Sequence, residues 1–129
     1  MNLKQYPSFC SYSVDDVTKA KAFYRDTLGL DVKDQNGMGL ELQLARGARV
    51  FLYPKKDHRP AAFTVLNFVV DDIDAAVDDL AASGVRFERY GGEIATDAKG
   101  VHRSGAQGGP DIAWFKDSAG NVLSVLQER

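Results

Sequence analysis

The 129-residue sequence has little of what marks several classes of protein. Its single cysteine, Cys10, excludes an internal disulfide and is typical of a reducing compartment. Sixteen lysines and arginines against 18 aspartates and glutamates leave a net charge of −2, which gives no electrostatic reason to expect nucleic acid or an acidic membrane as a partner. There is neither an apolar run of transmembrane length nor an N-terminal stretch typical of a signal peptide. We therefore expect a cytoplasmic protein.

The sequence also has only two histidines and one cysteine. His58 lies in a polar linker and His102 in a glycine-rich segment, and neither has a partner at metal-ligand spacing. Both are expected to be solvated, although His102 could reach a pocket if its segment folds over one. Cys10 alternates with Phe9 and Ser11 along a predicted strand, so we expect a buried structural thiol on the opposite face.

What the sequence does contain is a regular order of elements. In the first half, periodicity predicts one strand, one helix and three further strands, with Asn36 and Gly37 forming a hairpin turn. Asp15 and Asp16 are candidate N-caps of the helix, and Gly29 is its left-handed stop. The predicted strands cover 7–14, 30–35, 39–46 and 49–53, and the predicted helix covers 17–28.

The second half repeats this order. V-D-D-V-T-K-A from Val14 matches V-D-D-I-D-A-A from Val70, and Gly84 again stops the helix. Strands are predicted at 62–70, 85–90, 111–116 and 122–127. The sequence thus predicts an α+β fold built from two β-α-β-β-β modules in a single domain, 1–129. Module one covers 7–54, the linker 55–61 and module two 62–128.

One segment interrupts the symmetry. Residues 91–110 hold six of the twelve glycines. A segment of this length is either functional, as a lid over a pocket, or a solvated excursion.

The duplicated modules, the V-D-D exits from the first strands and the F-x-D-x-x-G-N turn near the end resemble the vicinal oxygen chelate superfamily. That group includes glyoxalase I, bleomycin-resistance proteins, extradiol dioxygenases and fosfomycin-resistance enzymes. The resemblance covers about residues 9–127 and implies a cup-shaped mixed sheet and a homodimer. It says little about function, because one scaffold hosts many activities.

In the enzymes of this superfamily, four side chains, usually His or Gln and Glu, hold a divalent metal in the cup. The resemblance places Phe9, Phe51, Val65 and Ser124 at these positions, and these residues cannot bind a catalytic metal. Shifting the first-strand positions by two residues gives Ser11 and Asn67, which are also poor ligands. The resemblance therefore implies no metal, no other cofactor and no catalytic residue of the family type.

The remaining inference is an apolar cup with a few polar groups, suited to an aromatic or amphipathic small molecule. Ser11 and Asn67 could supply hydrogen bonds, and Arg49 could anchor a carboxylate or phosphate or simply reach water. Trp114 is expected to line the cavity while Phe115 packs in the core. The predicted ligand-binding residues are Phe9, Ser11, Arg49, Phe51, Val65, Asn67, Trp114 and Ser124.

Three functions stay open at this point. The first is a metal-free small-molecule-binding protein, such as one that sequesters an aromatic metabolite or an antibiotic. The second is a glyoxalase-like lyase, isomerase or dioxygenase with a non-standard metal or acid–base site. The third is a protein with a filled cup that acts through its dimer surface.

Overall fold

The structure of the protein is a computed structural model that describes residues 1–128. The chain divides into two compact units, unit 1 (Met1–Arg59) and unit 2 (Pro60–Arg129). Each unit contains a four-stranded mixed sheet and one α-helix, which confirms the predicted α+β class and the twofold repeat. No helix within residues 1–128 is both long enough and apolar enough to span a membrane.

Unit 1 has the sheet order β1-β4-β3-β2, in which β1 and β4 are parallel and the other pairs antiparallel. Its core consists of Val14, Tyr24 and the inward residues of β3 and β4, such as Leu42 and Leu52, all fully buried. The elements of unit 1 are β1 (Cys10–Val14), α1 (Val17–Ala22), β2 (Asp31–Asp34), β3 (Leu40–Gln43) and β4 (Arg49–Pro54).

The helix start and the hairpin turn of unit 1 lie where the predicted cap and turn residues indicate. The Asp16 carboxylate accepts a hydrogen bond from the Lys19 amide at 3.0 Å, so Asp16 rather than Asp15 is the cap. Asn36 and Gly37 both have positive φ, as a tight hairpin turn requires. The predicted helix differs at its end, because the turn Phe23–Thr27 is a π-helix that follows α1.

Unit 2 has the corresponding sheet order β5-β8-β7-β6, with β5 and β8 parallel. Helix α2 packs against β7 and β8, and the fully or nearly fully buried core includes Ile73, Phe115 and Leu123. Asp72 caps α2 by accepting from the Ala75 amide at 3.1 Å. The elements of unit 2 are β5 (Thr64–Val69), α2 (Ile73–Ala82), β6 (Val101–His102), β7 (Asp111–Lys116) and β8 (Val122–Gln127).

The predicted strand at 85–90 is wrong in one respect. Only Phe87 forms a bridge there, opposite Phe115 on β7. Farther along the same edge, β7 pairs with β6 instead, where Val101 is opposite Ala113. Two pieces of chain therefore share the edge of β7, and residues 89–100 form an excursion between them. The segment 91–110 is neither a bare loop nor a free lid, since it contains β6 and the short 3₁₀ turns Gly92–Ile94 and Gly105–Gln107.

Candidate ligand-binding site

Each sheet has one face that packs against its own helix and core, and a second face that we call the distal face. In unit 1, Val50 and Leu52 point to the core, so alternation places Arg49, Phe51 and Tyr53 on the distal face. In unit 2, Leu123 and Val125 are core residues, which by the same alternation places the neighbouring Ser124 on the distal face. The predicted site residues fall on these two distal faces and at the start of β1 and β5.

The distal face of unit 1 carries a row of three side chains across adjacent strands. Ser11 on β1 is opposite Phe51 on β4, and Phe51 is in turn opposite Glu41 on β3. The ring of Phe51 stacks on that of Tyr53, with centroids 6.2 Å apart and planes at 18°. Ser11 is exposed and Phe51 half-buried. This part of the predicted site is brought together by strand pairing.

Arg49 already has partners within unit 1. Its guanidinium carbon lies 4.3 Å from the centroid of the Phe9 ring, and its Nη1 lies 3.5 Å from Oε1 of Glu41. Phe9 precedes β1 and is 52% exposed. A cation over an aromatic face is a favourable contact, and the nearby carboxylate balances the charge. The anchoring of an anionic ligand by Arg49 would therefore have to compete with Glu41.

The distal face of unit 2 carries the equivalent row, with different chemistry. Asn67 on β5 is opposite Ser124 on β8, and Ser124 is opposite Trp114 on β7. The Ser124 hydroxyl donates a hydrogen bond to Oδ1 of Asn67 at 2.5 Å. Ser124 is fully buried, whereas Asn67 is exposed and Trp114 half-buried. Ser124 therefore orients the Asn67 amide, and with Oδ1 engaged, Nδ2 is the end of Asn67 that can donate to a ligand.

Two further rings adjoin Trp114, and sequence reasoning did not place them there. Tyr90 meets Trp114 edge to face with centroids 5.5 Å apart, and the His102 ring lies 6.2 Å away, tilted by 33°. His102 is in β6, not in a loop, and its Nδ1 lies 3.0 Å from the Ala95 carbonyl oxygen. The signal for Tyr90 was its place at the end of the run 85–90, in which apolar and charged residues are mixed and Phe87 bridges to β7. As expected, Phe115 packs in the core and is 1% exposed.

Val65 lies at an irregularity of β5 and is not part of the row. The ladder with β8 pairs Thr64 with Val122 and then Leu66 with Leu123, which leaves Val65 as an extra residue without a partner in the ladder. A bulge changes the direction of a side chain relative to a regular strand. Counting residues along the sequence therefore does not locate Val65 on the sheet.

Two expectations outside the predicted site are wrong. Cys10 is exposed rather than buried, because β1 is an edge strand of its sheet and Cys10 is its first residue. His58 is half-buried rather than a solvated linker residue, and its Nδ1 lies 2.7 Å from the Ser13 hydroxyl oxygen. Both positions depend on contacts between residues far apart in the sequence.

The excursion of unit 2 is held against α2 by charged side chains. Arg103 bonds to both carboxylate oxygens of Asp74, at 2.7 and 3.1 Å, and to Asp97 at 3.1 Å. Lys99 contacts Asp74 at 3.0 Å and Asp78 at 2.9 Å. The Arg103 guanidinium, followed by the Lys99 ammonium, holds the pKa of Asp74 well below its usual range. This segment is thus an anchored part of unit 2.

Comparisons with known proteins give the same fold. A model of the Glyoxalase/Bleomycin resistance protein/Dioxygenase superfamily matches residues 7–125. The chain belongs to this superfamily. No curated protein matches the sequence significantly.

Solved structures of the superfamily fold resemble the chain over nearly its whole length. TnmS3, an antibiotic binding protein from Streptomyces sp. CB03234, is 26% identical with a TM-score of 0.65, covering 96% of this chain and 98% of its own. Lactoylglutathione lyase from Agrobacterium tumefaciens is 20% identical with a TM-score of 0.68, covering 95% and 92%. The fosfomycin resistance protein FosX from Listeria monocytogenes is 13% identical with a TM-score of 0.68, covering 96% and 93%. The last two similarities show the fold alone.

The residues of this superfamily member do not fit the family's metal. At the position where the family resemblance implies a carboxylate ligand, the Ser124 hydroxyl is buried and donates to Asn67. Phe9 and Phe51 offer no donor atoms, and Val65 is aliphatic. Among the described residues, no three His, Cys, Asp or Glu side chains lie close enough together to hold a metal ion.

Proposed function

We propose that this superfamily member is a small-molecule-binding protein whose ligand places a flat aromatic ring against the distal face of unit 2. The observation that carries the proposal is the hydrogen bond from buried Ser124 to Asn67, directly beside Trp114. It joins an oriented hydrogen-bond donor to an aromatic surface on one rigid sheet. Binding sites of this composition, mostly apolar with a few fixed polar groups, suit aromatic ligands.

Each residue of the row has a distinct role in this proposal. Trp114 supplies the flat surface, and the Tyr90 ring, packed edge to face against it, limits its rotation. Asn67 donates from Nδ2 to a hydroxyl or carbonyl oxygen of the ligand. Ser124 acts through Asn67, since a buried hydroxyl has no access to a ligand of its own.

The distal face of unit 1 supplies four further predicted ligand-binding residues. Phe9 and Phe51 present aromatic surface, and Ser11 presents an exposed hydroxyl. Arg49 is the cationic group there, balanced by Glu41. We propose this face as a separate binding surface of unit 1, with a preference for aromatic over anionic groups.

The role we infer is sequestration or carriage of a ligand without chemistry. The 26% identity to an antibiotic binding protein over 96% of this chain supports an antibiotic or a similar aromatic metabolite as the ligand class. The side chains at the metal positions do not support the alternative, a glyoxalase-like lyase or a dioxygenase, because they lack ligand atoms for a divalent ion.

The test uses the only tryptophan of the chain as its reporter. The single indole N–H resonance of uniformly ¹⁵N-labelled protein is followed during titration with 2-naphthol, and with decahydro-2-naphthol as a saturated counterpart. We expect 2-naphthol to shift this resonance and the saturated alcohol to shift it far less. Asn67→Ala should weaken binding about tenfold, since it removes a hydrogen bond at an apolar site.

Two matched variants complete the experiment. Ser124→Ala should weaken binding by less than Asn67→Ala, because it removes the group that orients Asn67 and leaves Asn67 itself in place. Ser118→Ala, at an exposed position of the β7–β8 turn, should leave affinity unchanged. Equal affinity of the wild type and Asn67→Ala would contradict the proposal. So would glutathione-dependent turnover of methylglyoxal that requires added Ni²⁺, Zn²⁺ or Mn²⁺, since it would establish a metal site that these residues do not provide.

A further inference from the structure

A groove of about 420 Å³ lies in unit 2, between helix α2 and the segment 85–89 that follows it. This volume is within the range of small-molecule sites. None of the residues that line it belongs to the distal-face row of Asn67, Ser124 and Trp114. The groove is therefore distinct from the binding face proposed above and is not part of the predicted site.

The floor of the groove is apolar and fixed in place. Val77 of α2 and Val85 are 3% and 7% exposed, so both are anchored in the core of unit 2. Phe87 bridges to Phe115 on β7, and the two rings meet edge to face with centroids 5.6 Å apart. Ala81 of α2 also lines the groove, and its small side chain fills little of the space. An apolar moiety of a few carbon atoms would find a preformed surface there.

The rim of the groove has an excess of positive charge. Arg86, Arg89 and Lys99 line it, with Asp78 as the one acidic lining residue. Lys99 contacts Asp78 at 2.9 Å, so these two charges balance each other, while Asp74 outside the lining also contacts Lys99. Both arginines are exposed, and neither forms an ion pair with any acidic side chain of residues 1–128. Two guanidinium groups thus remain available in a chain with a net charge of −2.

The Arg89 guanidinium lies close to the backbone at Gly100. A Cβ at Gly100 would lie 2.7 Å from Nη1 of Arg89 and 2.8 Å from Cβ of Phe87, closer than any side chain allows. Gly100 is buried and has φ +91°, a conformation that glycine adopts at low cost. Its missing side chain leaves room for the guanidinium to lie against the backbone. A guanidinium can bind two oxygens of a carboxylate or phosphate at once.

We propose that this groove binds a small amphipathic anion, with an oxyanion head at Arg86 and Arg89 and a short apolar tail over Val77, Val85 and Phe87. The head is a carboxylate or a phosphate monoester, which offer the arginines the same paired oxygens. The occupant is a free small molecule, in keeping with the groove volume of about 420 Å³. This site is independent of the aromatic ligand proposed for the distal face.

The experiment compares three probes with the same six-carbon tail: hexanoate, hexyl phosphate and the neutral hexanol. Amide resonances of ¹⁵N-labelled protein are followed during each titration. We expect both anions to shift resonances within residues 77–89, and hexanol to bind at least about tenfold more weakly than hexanoate. Stronger binding of hexanoate than of hexyl phosphate, or the reverse, identifies the head group.

Charge variants test the role of the rim. The double variant Arg86→Gln/Arg89→Gln should weaken hexanoate binding at least about tenfold, and Arg59→Gln, an exposed arginine of unit 1, should not change it. Asp78→Asn should strengthen binding about threefold, because it removes the acidic side chain from the rim. Opposite effects of the arginine and aspartate variants would not arise from a general loss of structure.

Three outcomes would overturn this proposal. They are equal affinity for hexanol and hexanoate, unchanged affinity of the double variant, and shifts confined to the Trp114 indole and its neighbours. The last result would place the anion on the distal face. Binding of 2-naphthol to the double variant is a separate readout, so failure of the groove and failure of the aromatic site can be told apart.

Discussion

The two units use the same order of strands but carry different side chains at equivalent places. In unit 1 the row across the distal face contains a serine, a phenylalanine and a glutamate, and in unit 2 an asparagine, a serine and a tryptophan. Backbone pairing fixes where these side chains stand. Their chemistry is free to differ, because the distal face does not form the core between sheet and helix. One repeated unit can thus keep its fold while its two copies carry different surface chemistry.

The units also differ in how their edges and turns are stabilised. In unit 1, β2 and β3 are joined by a short hairpin turn at Asn36 and Gly37. In unit 2, the edge of β7 is shared by two pieces of chain, and the excursion between them is fixed by ion pairs to Asp74. Backbone conformation thus stabilises the edge of one unit, and charged side chains stabilise that of the other.

The largest expected effect is at Gly39 in unit 1. A Cβ there would lie 2.2 Å from the Leu52 carbonyl oxygen, and φ is +150°, whereas β7 carries Ile112 at the equivalent place. Gly39→Ala should lower the free energy of unfolding by about 3 kcal/mol or more, measured by urea denaturation. Gly37→Ala is the control: its φ is +78° and it has no atom within 4 Å, so a loss of about 1 kcal/mol is expected. Equal losses would mean that the close contact between β3 and β4 is not what requires glycine.

The second-largest expected effect concerns the turn before the last strand of each unit, which joins β3 to β4 in unit 1 and β7 to β8 in unit 2. The amide of Asp117 donates to the Asn121 carbonyl at 2.9 Å, and the amide of Leu44 donates to the Ala48 carbonyl at 2.8 Å, so the turns close alike. Unit 2 adds the buried Asp117 carboxylate, which accepts from the amides of Ala119 and Asn121 at 2.8 and 2.9 Å.

Removing that carboxylate should therefore destabilise the protein. Asp117→Ala should cost about 2–3 kcal/mol of unfolding free energy, because it leaves buried amides without acceptors. Asp117→Asn keeps one acceptor oxygen and should cost less, and Ser118→Ala, at an exposed position of the same turn, should have almost no effect. If Asp117→Ala were as stable as Ser118→Ala in urea denaturation, the carboxylate would be dispensable for this turn.

The smallest effect is the response of unit 2 to acid. Hydrogen bonds from Arg103 and Lys99 lower the pKa of Asp74 from its ordinary 3.8. A carboxyl group with a lowered pKa stabilises the folded state above its ordinary pKa, and this contribution is lost as the pH falls below it. The melting temperature of the wild type should therefore decrease between about pH 5 and about pH 3 more steeply than that of Asp74→Asn. Asp31→Asn, at an exposed position on β2 of unit 1, is the matched control, and an equal change of slope in both variants would disprove a special role for Asp74.

Much of the fold could be predicted from local patterns. Strands β7 and β8 have the predicted bounds, Asp16 and Asp72 cap the helices, and Gly29 and Gly84 have the positive φ of helix stops. Each of these features depends on a few consecutive residues. The family resemblance, carried by the same patterns, is confirmed by the family match and by the solved structures.

Other features could not be predicted, because they depend on residues distant in the sequence. Nothing in the run 85–90 shows that only Phe87 would bridge to β7, since β6 competes for the same edge. The exposure of Cys10 follows from the position of β1 at the edge of its sheet. The groove near Arg89 depends on Gly100, eleven residues farther along the chain.

The sequence by itself determined the class of the fold and the repeat, because these depend on residue types and short spacings. Only the tertiary structure decided what Ser124 does. Strand pairing brings it to Asn67, 57 residues away, where its hydroxyl donates a hydrogen bond. The same pairing places Trp114 on its other side. A binding face is a property of neighbouring strands, and the register between strands is fixed only when the whole sheet packs on its core.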